Sequence, residues 1–245
     1  MSSSYSDFSL VYDKLISDVD YSALCKNMLE SCKKHSHIPR LVLDAACGTG
    51  NFTKELEKYG LDVIGVDSSP EMLSVAQGKV SEKCRLLCQD LCELDLYGTV
   101  DTVFCTLDSF NHIIDYEEFK KAVKRTALFL EPGGLMIFDV NTVYKHKEVL
   151  GNNIFTSEEE NIFMAWENTL CEDNIVNINL DFFIKEDDGK YIRLQENFDE
   201  RAYTEEEIFT ALDEADLKIL EIKDFYTDNE PVKTSEKVIY IAKKE

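Results

Sequence analysis

An apolar run, Leu41-Val42-Leu43, ends in an acid, Asp44, and continues into Ala45-Ala46-Cys47-Gly48-Thr49-Gly50-Asn51. A strand that leads through a glycine turn into a helix places a small-molecule crevice at the carboxyl end of a sheet. The segments that follow repeat this alternation. Phe52, Leu56 and Tyr59 make a helical stripe that stops at Gly60. Leu61 to Val66 reads as a second strand ending at Asp67, and Ser68-Ser69-Pro70-Glu71 as a helix start running to about Val80. Cys84–Cys88 and Val100–Thr106 read as further strands. Asp115 caps a helix with the stripe Phe119, Ala122, Val123, Thr126, Ala127 and Leu130, closed by Glu131-Pro132-Gly133-Gly134. Leu135–Val140 is then a fifth strand. Strands alternating with helices over 41–140 predict a mostly parallel sheet with helices on both faces.

The flanks differ. Residues 5–16 and 21–32 carry helical stripes, the second capped by Asp20. From about Asn161 the period becomes two: Val176, Ile178, Leu180, Phe182 and Ile184 alternate with polar neighbours. Asp187-Asp188-Gly189 is a hairpin signal, and Ile192, Leu194 and Phe198 lie on its return. The expected division is a core of residues 1–150 and 202–245, with an antiparallel β insertion over 151–201 acting as a substrate lid. Thr204 and Glu207 form a capping pair, and Leu217–Phe225 and Lys237–Ala242 complete an α/β, Rossmann-like, seven-stranded sheet.

Charge and cysteine usage limit the partners. The 245-residue chain has a formal net charge of −22, which repels phosphate backbones and anionic membranes. No basic-then-apolar leader opens the chain and no run reaches membrane-span length, so a cytoplasmic protein with its eight cysteines reduced is expected. Cys84, Cys88 and Cys92 share a spacing of four, but a short strand would not align them on a metal.

Three ligands suit such a glycine loop. A phosphate loop needs lysine and a hydroxyl residue after the last glycine, where Asn51 and Phe52 stand. A dinucleotide fingerprint needs a third glycine, where Thr53 stands. S-adenosylmethionine (SAM) carries no phosphate, but an ammonium and a sulfonium. Asp44 suits that charge, Asp67 can accept from both ribose hydroxyls, and Gln89-Asp90-Leu91 can read and cover adenine.

Asp-Ala-Ala-Cys-Gly-Thr-Gly-Asn, Val-Ile-Gly-Val-Asp-Ser-Ser-Pro-Glu-Met-Leu and Cys-Gln-Asp-Leu resemble the first three motifs of class I SAM-dependent methyltransferases. The Leu-Glu-Pro-Gly-Gly-Leu-Met-Ile-Phe-Asp stretch is similar to that family's entry into its fifth strand. Ala46 stands where the family has its first loop glycine. The flanking segments Val11–Leu15, Asp18–Tyr21 and Glu200–Thr204 resemble bacterial small-molecule methyltransferases similar to sugar N,N-dimethyltransferases and glycine-type N-methyltransferases. The resemblance implies a cofactor set of Asp44, Ala46, Cys47, Gly48, Gly50, Asn51, Asp67, Ser68, Met72, Gln89, Asp90, Leu91 and Cys105.

The expected reaction is in-line methyl transfer to an amine or hydroxyl of a small-molecule acceptor, without a metal. A sulfonium leaves as a neutral thioether, so alignment and removal of one proton suffice. His112, Tyr12 and Tyr203 are the candidate catalytic residues, with His112 as general base. Arg201, Trp166, Asp139 and Asn141 are further pocket candidates. Cys47 reads as a packing residue. The Asn/Asp-Pro-Pro-Tyr signature associated with amino groups of adenine or glutamine, and the Pro-Cys nucleophile of cytosine C5 enzymes, are absent after the fourth strand. Alternatives at this stage are a SAM-binding regulatory protein without turnover, and a methyltransferase acting on RNA or protein. The assembly is expected to be a monomer or homodimer.

Overall fold

A computed structural model describes residues 19–159, 161–186 and 188–245. The stripe over residues 5–16, Tyr12 and Asp187 of the hairpin signal lie outside the described residues. In chain order the elements are α1 (Tyr21–Lys34), β1 (Leu41–Ala45), α2 (Asn51–Lys58), β2 (Asp62–Asp67), α3 (Pro70–Gln77), β3 (Arg85–Cys88), β4 (Val100–Cys105), α4 (Tyr116–Leu128) and β5 (Leu130–Asn141). Then follow β6 (Ile154–Glu159), β7 (Ile162–Leu170), β8 (Ile175–Lys185), β9 (Tyr191–Arg201), α5 (Glu205–Asp213), β10 (Leu217–Asp224) and β11 (Lys237–Lys244).

The main sheet runs β3-β2-β1-β4-β5-β11-β10. Its first five strands pair in parallel, and β11 enters antiparallel to both β5 and β10. Strand order reverses between β1 and β4, so the crevice of an open α/β sheet lies above their carboxyl ends. Alternation within the strands separates two cores. Val42, Phe104, Ile137 and Ile239 face α1 and α2. Leu43, Val103, Met136, Phe138 and Tyr240 face α4 and α5. Helices therefore cover both faces.

The caps match the local chemistry. Asp20 accepts from the Ala23 amide, Ser69 from Met72, Asp115 from Glu118, and Thr204 with Glu207 closes a capping box. Gly50 begins α2 at φ +78°, and a Cβ there would sit 2.9 Å from Cβ of Ala76 on α3. Gly50→Ala is expected to cost about 2 kcal/mol, combining left-handed strain with that overlap, measured by chemical denaturation.

Two elements differ from expectation. Strand β5 starts at Leu130, paired with Val100, rather than at Leu135. Glu131–Gly134 is a bulge inside the strand, not a loop before it. Gly134 allows it, because a Cβ there would lie 2.6 Å from the Asp101 carbonyl oxygen. The β insertion also gains a strand before the alternating stretch. The second sheet is β6-β7-β8-β9, all antiparallel, and begins at Ile154 after a π-helical turn at Lys145–Leu150.

Candidate active site

One cavity of about 650 Å³ lies between the carboxyl edge of the main sheet and the inner face of the second sheet. Three main-sheet loops form its floor. The first follows β1. Ala46 adopts φ +58°, a conformation that favours glycine, which explains the family's glycine at this position. Ala46→Gly is therefore expected to leave stability unchanged or raise it by up to about 1 kcal/mol, read from a denaturation midpoint. The Cys47 amide donates to the Val66 carbonyl, and its sulfur packs against Gly65. Burial pushes the Cys47 thiol well above its ordinary range, so it is a packing group and not a nucleophile.

Two carboxylates order this floor. Asp44 is buried and accepts a short hydrogen bond from the Thr53 hydroxyl, tying β1 to α2. Thr53 thus has a polar role where a dinucleotide enzyme has glycine. Burial, and then the Asp67 charge, push the Asp44 carboxyl up to about 7, against the Thr53 hydroxyl. Asp67 ends β2 and joins two loops, accepting from the amides of Gly48 at 2.8 Å and Ser69 at 2.9 Å. Burial raises its carboxyl as well, although these amides favour the charge.

Asp90 accepts from the Cys92 amide at 2.8 Å and caps the short helical turn Leu91–Glu93. Gln89 also lines the cavity. Its amide is bound on both sides, donating to the Asp95 carbonyl and accepting from the Asp95 amide. It braces the loop that presents Asp90 and Leu91 to the cavity.

Ala46, Gly48, Asn51, Ser68 and Met72 also line the cavity, as expected. Gly50 and Cys105 do not line it. Gly50 permits helix packing, and Cys105 is fully buried one residue before Thr106, which does line it. Tyr203 is also displaced from its expected place. Its ring stacks on Phe119 at 4.0 Å and its hydroxyl donates to the Ile113 carbonyl. It is a core residue that anchors the loop bearing His112. Arg201 pairs with Glu207 at 2.7 Å, outside the cavity.

The ceiling is the inner face of the second sheet. Trp166 opposes Leu180, which opposes Glu196, while Ile178 opposes Phe198. These side chains and Glu200 line the cavity, with Glu200 3.8 Å from His112. Trp166 both packs, 5.3 Å from Phe155, and lines the wall. Period two predicted this face but not its direction. Tyr21, Glu196, Phe198 and Glu200 were therefore absent from the expected site.

Beneath the wall lies a polar network. Leu107 and Asp108 both have positive φ, and Asp139 holds them by accepting from their amides at 2.7 and 2.9 Å. Lys237 from β11 sits 2.9 Å from Asp108 and 3.4 Å from Asp139. Asn141 donates to Asp108 and to Glu200. Asp139 and Asn141 thus support the wall rather than line it.

A methyltransferase-domain family model matches residues 42–134. The solved structure of a SAM-dependent methyltransferase from Clostridium acetobutylicum is 38% identical, covers 98% of both chains and superposes with a TM-score of 0.89. A chain of Geobacillus sp. (strain WCH70) that bears a methyltransferase name is 34% identical over 98% of this chain and 99% of its own. This chain belongs to the SAM-dependent methyltransferases. The fold also matches the sugar N-methyltransferase KedS8 from Streptoalloteichus, with a TM-score of 0.82 at 20% identity over 97% of this chain and 92% of that one. SAM is the cofactor of this methyltransferase, and the floor suits it. Cavity volume, buried carboxylates and the absence of a phosphate-binding lysine in the loop all fit a cationic nucleoside. No helix among the described residues is long and apolar enough to cross a membrane.

Proposed function

We propose that this methyltransferase acts on the nitrogen of a small-molecule amine, with the donor on the glycine-loop floor and the acceptor under the second sheet. SAM supplies a methyl group on a sulfonium: as the N–CH3 bond forms, the C–S bond breaks and its electrons stay on sulfur. The chain's own residues bind, orient and accept a proton. Asp44 faces the donor's ammonium, Asp67 its ribose hydroxyls, and Asp90 with Leu91 its adenine. The second sheet excludes water from the acceptor side. His112 takes the acceptor's surplus proton at Nε2, which points to Glu200 at 3.8 Å.

The observation that carries this reading is His112 and Glu200, 3.8 Å apart, in the cavity that the glycine loop also lines. The likeness of fold to the sugar N-methyltransferase KedS8 agrees with nitrogen as acceptor.

The test uses SAM with a deuterated methyl group, incubated with the protein and matched amine and alcohol libraries, with products read by mass spectrometry. Deuteromethyl amines are expected. Label found only on oxygen contradicts the reading. Asp67→Ala is expected to weaken binding of S-adenosylhomocysteine by about 1–3 kcal/mol through lost charged hydrogen bonds, measured by calorimetry. Unchanged affinity would place the ribose elsewhere.

A further inference from the structure

The acceptor half of the cavity is acidic and aromatic. Among the described lining residues there is no lysine or arginine. The nearest cations do not line it: Lys145 donates to Asn141 at 2.8 Å and interacts with Glu200 only from behind that amide, Lys237 pairs with Asp108, and Arg201 pairs with Glu207.

Glu200 is nine-tenths or more buried, at 6% exposure, and accepts a hydrogen bond on one carboxylate oxygen only. Oε2 accepts from the neutral amide of Asn141 at 3.2 Å. Oε1 lies 3.8 Å from His112 Nε2, beyond hydrogen-bond length. His146 sits behind it, fully buried, with Nε2 3.7 Å from Oε2. The Nδ1 of His146 lies 2.8 Å from the Asn174 carbonyl, which only accepts, so Nδ1 carries the ring proton. Its Nε2 has no hydrogen-bond partner. Glu200 Oε1, the oxygen nearer His112, therefore has no hydrogen-bond donor of its own among the described residues. A cation arriving through the cavity corrects this. Phe198, 5.3 Å from the His112 ring, and Trp166 supply π faces to such a cation.

We infer that the acceptor binds as an ammonium ion on Glu200 Oε1, and that Glu200 with Glu196 bars acceptors carrying phosphate or carboxylate. Both glutamates lie on the inner face of β9, four residues apart, so together they span about 13 Å of the ceiling. An anionic group anywhere along that length meets a like charge with no cationic side chain on the described wall to offset it. This inference rests on the cavity being the methyl-transfer site.

Trp166 is the chain's single tryptophan and reports directly on the ceiling. The full chain, saturated with S-adenosylhomocysteine, is titrated with benzylammonium, benzyl alcohol, benzoate and benzyl phosphate while Trp166 fluorescence is followed. Benzylammonium should bind about tenfold or more tighter than benzyl alcohol, and the two anions should give no saturable change. Glu200→Gln should remove the preference for the cation while S-adenosylhomocysteine affinity stays within about twofold, because that residue lies on the acceptor side. Glu196→Gln should reduce the preference partway, and serves if the first variant does not fold. Benzoate or benzyl phosphate binding as tightly as benzylammonium, no binding of benzylammonium, or a preference retained in both variants overturns the inference. Failure of S-adenosylhomocysteine itself to bind would instead overturn the underlying site.

Discussion

Asp44→Asn raises the stability of the ligand-free protein at pH 8 while weakening SAM binding by about ten- to a hundredfold. The two effects share one cause. In the folded chain, burial and the Asp67 charge hold the Asp44 carboxyl up to about 7, above its ordinary 3.8. A carboxyl raised on folding contributes stability that is complete below its unfolded value and is lost as pH rises through the folded one. Above about pH 7 the native state therefore carries an ionised, buried Asp44 at a cost of about 2–4 kcal/mol. Asparagine removes that charge and still accepts from Thr53. The gain should appear in thermal unfolding at pH 8 and vanish at pH 4. Binding moves the opposite way, because a cationic donor selects the ionised carboxylate. Wild-type affinity for SAM should fall about tenfold per pH unit below about 7, whereas the variant's should stay flat over that range. Equal pH dependence in both proteins would remove Asp44 from the donor's charge.

Lys237→Met destabilises the protein by about 3–5 kcal/mol at pH 8 and releases the loop that bears Ser109 and His112. Burial alone would lower the Lys237 ammonium, but Asp108 and Asp139 overrule it and hold it above its ordinary range. Burial likewise opposes ionisation of Asp108, and Lys237 overrules it, so that carboxyl sits well below the usual range. Asp139 stays raised by burial despite Lys237. Without the ammonium, Asp108 and Asp139 remain apposed, hydrogen-bonded by amides, with Lys145 the remaining cation near Asp108. Protonating them relieves the repulsion, so the deficit should shrink from pH 8 toward pH 5. The double variant Asp108→Asn with Lys237→Met should recover part of the loss, and denaturation of all four proteins gives the coupling directly. A deficit of under about 1 kcal/mol, or one that does not depend on pH, would mean that the network does not hold the wall.

The residues that floor the cavity were legible in sequence because they are local. Asp44, the glycine loop, Asp67 and Asp90 each end a strand of a parallel sheet, and topology brings such ends together whatever their distance in the chain. Ser69, Asp115 and Thr204 were legible as caps for the same reason, since a cap is decided within four residues. The ceiling was not legible in this way. Alternation separates Ile178 and Leu180 from Asn177 and Asn179, but gives no sign of which face meets the crevice. Glu196 and Glu200 read as ordinary surface acids until their strand is placed. Tyr203 carried suitable chemistry at a suitable position, but its hydrogen bond to the Ile113 carbonyl turns it to support. The early start of β5 was hidden because Pro132 and two glycines signal a loop, and a bulge uses the same residues.

The central claim is that the floor holds the donor and the ceiling holds the acceptor, on opposite sides of one cavity. A crystal structure of the full chain with S-adenosylhomocysteine tests it most directly. The account predicts both ribose hydroxyls on Asp67, the amino group at Asp44, adenine against Leu91, and the sulfur facing His112 and Glu200. A ligand whose sulfur points away from the second sheet, or whose ribose lies apart from Asp67, would contradict it.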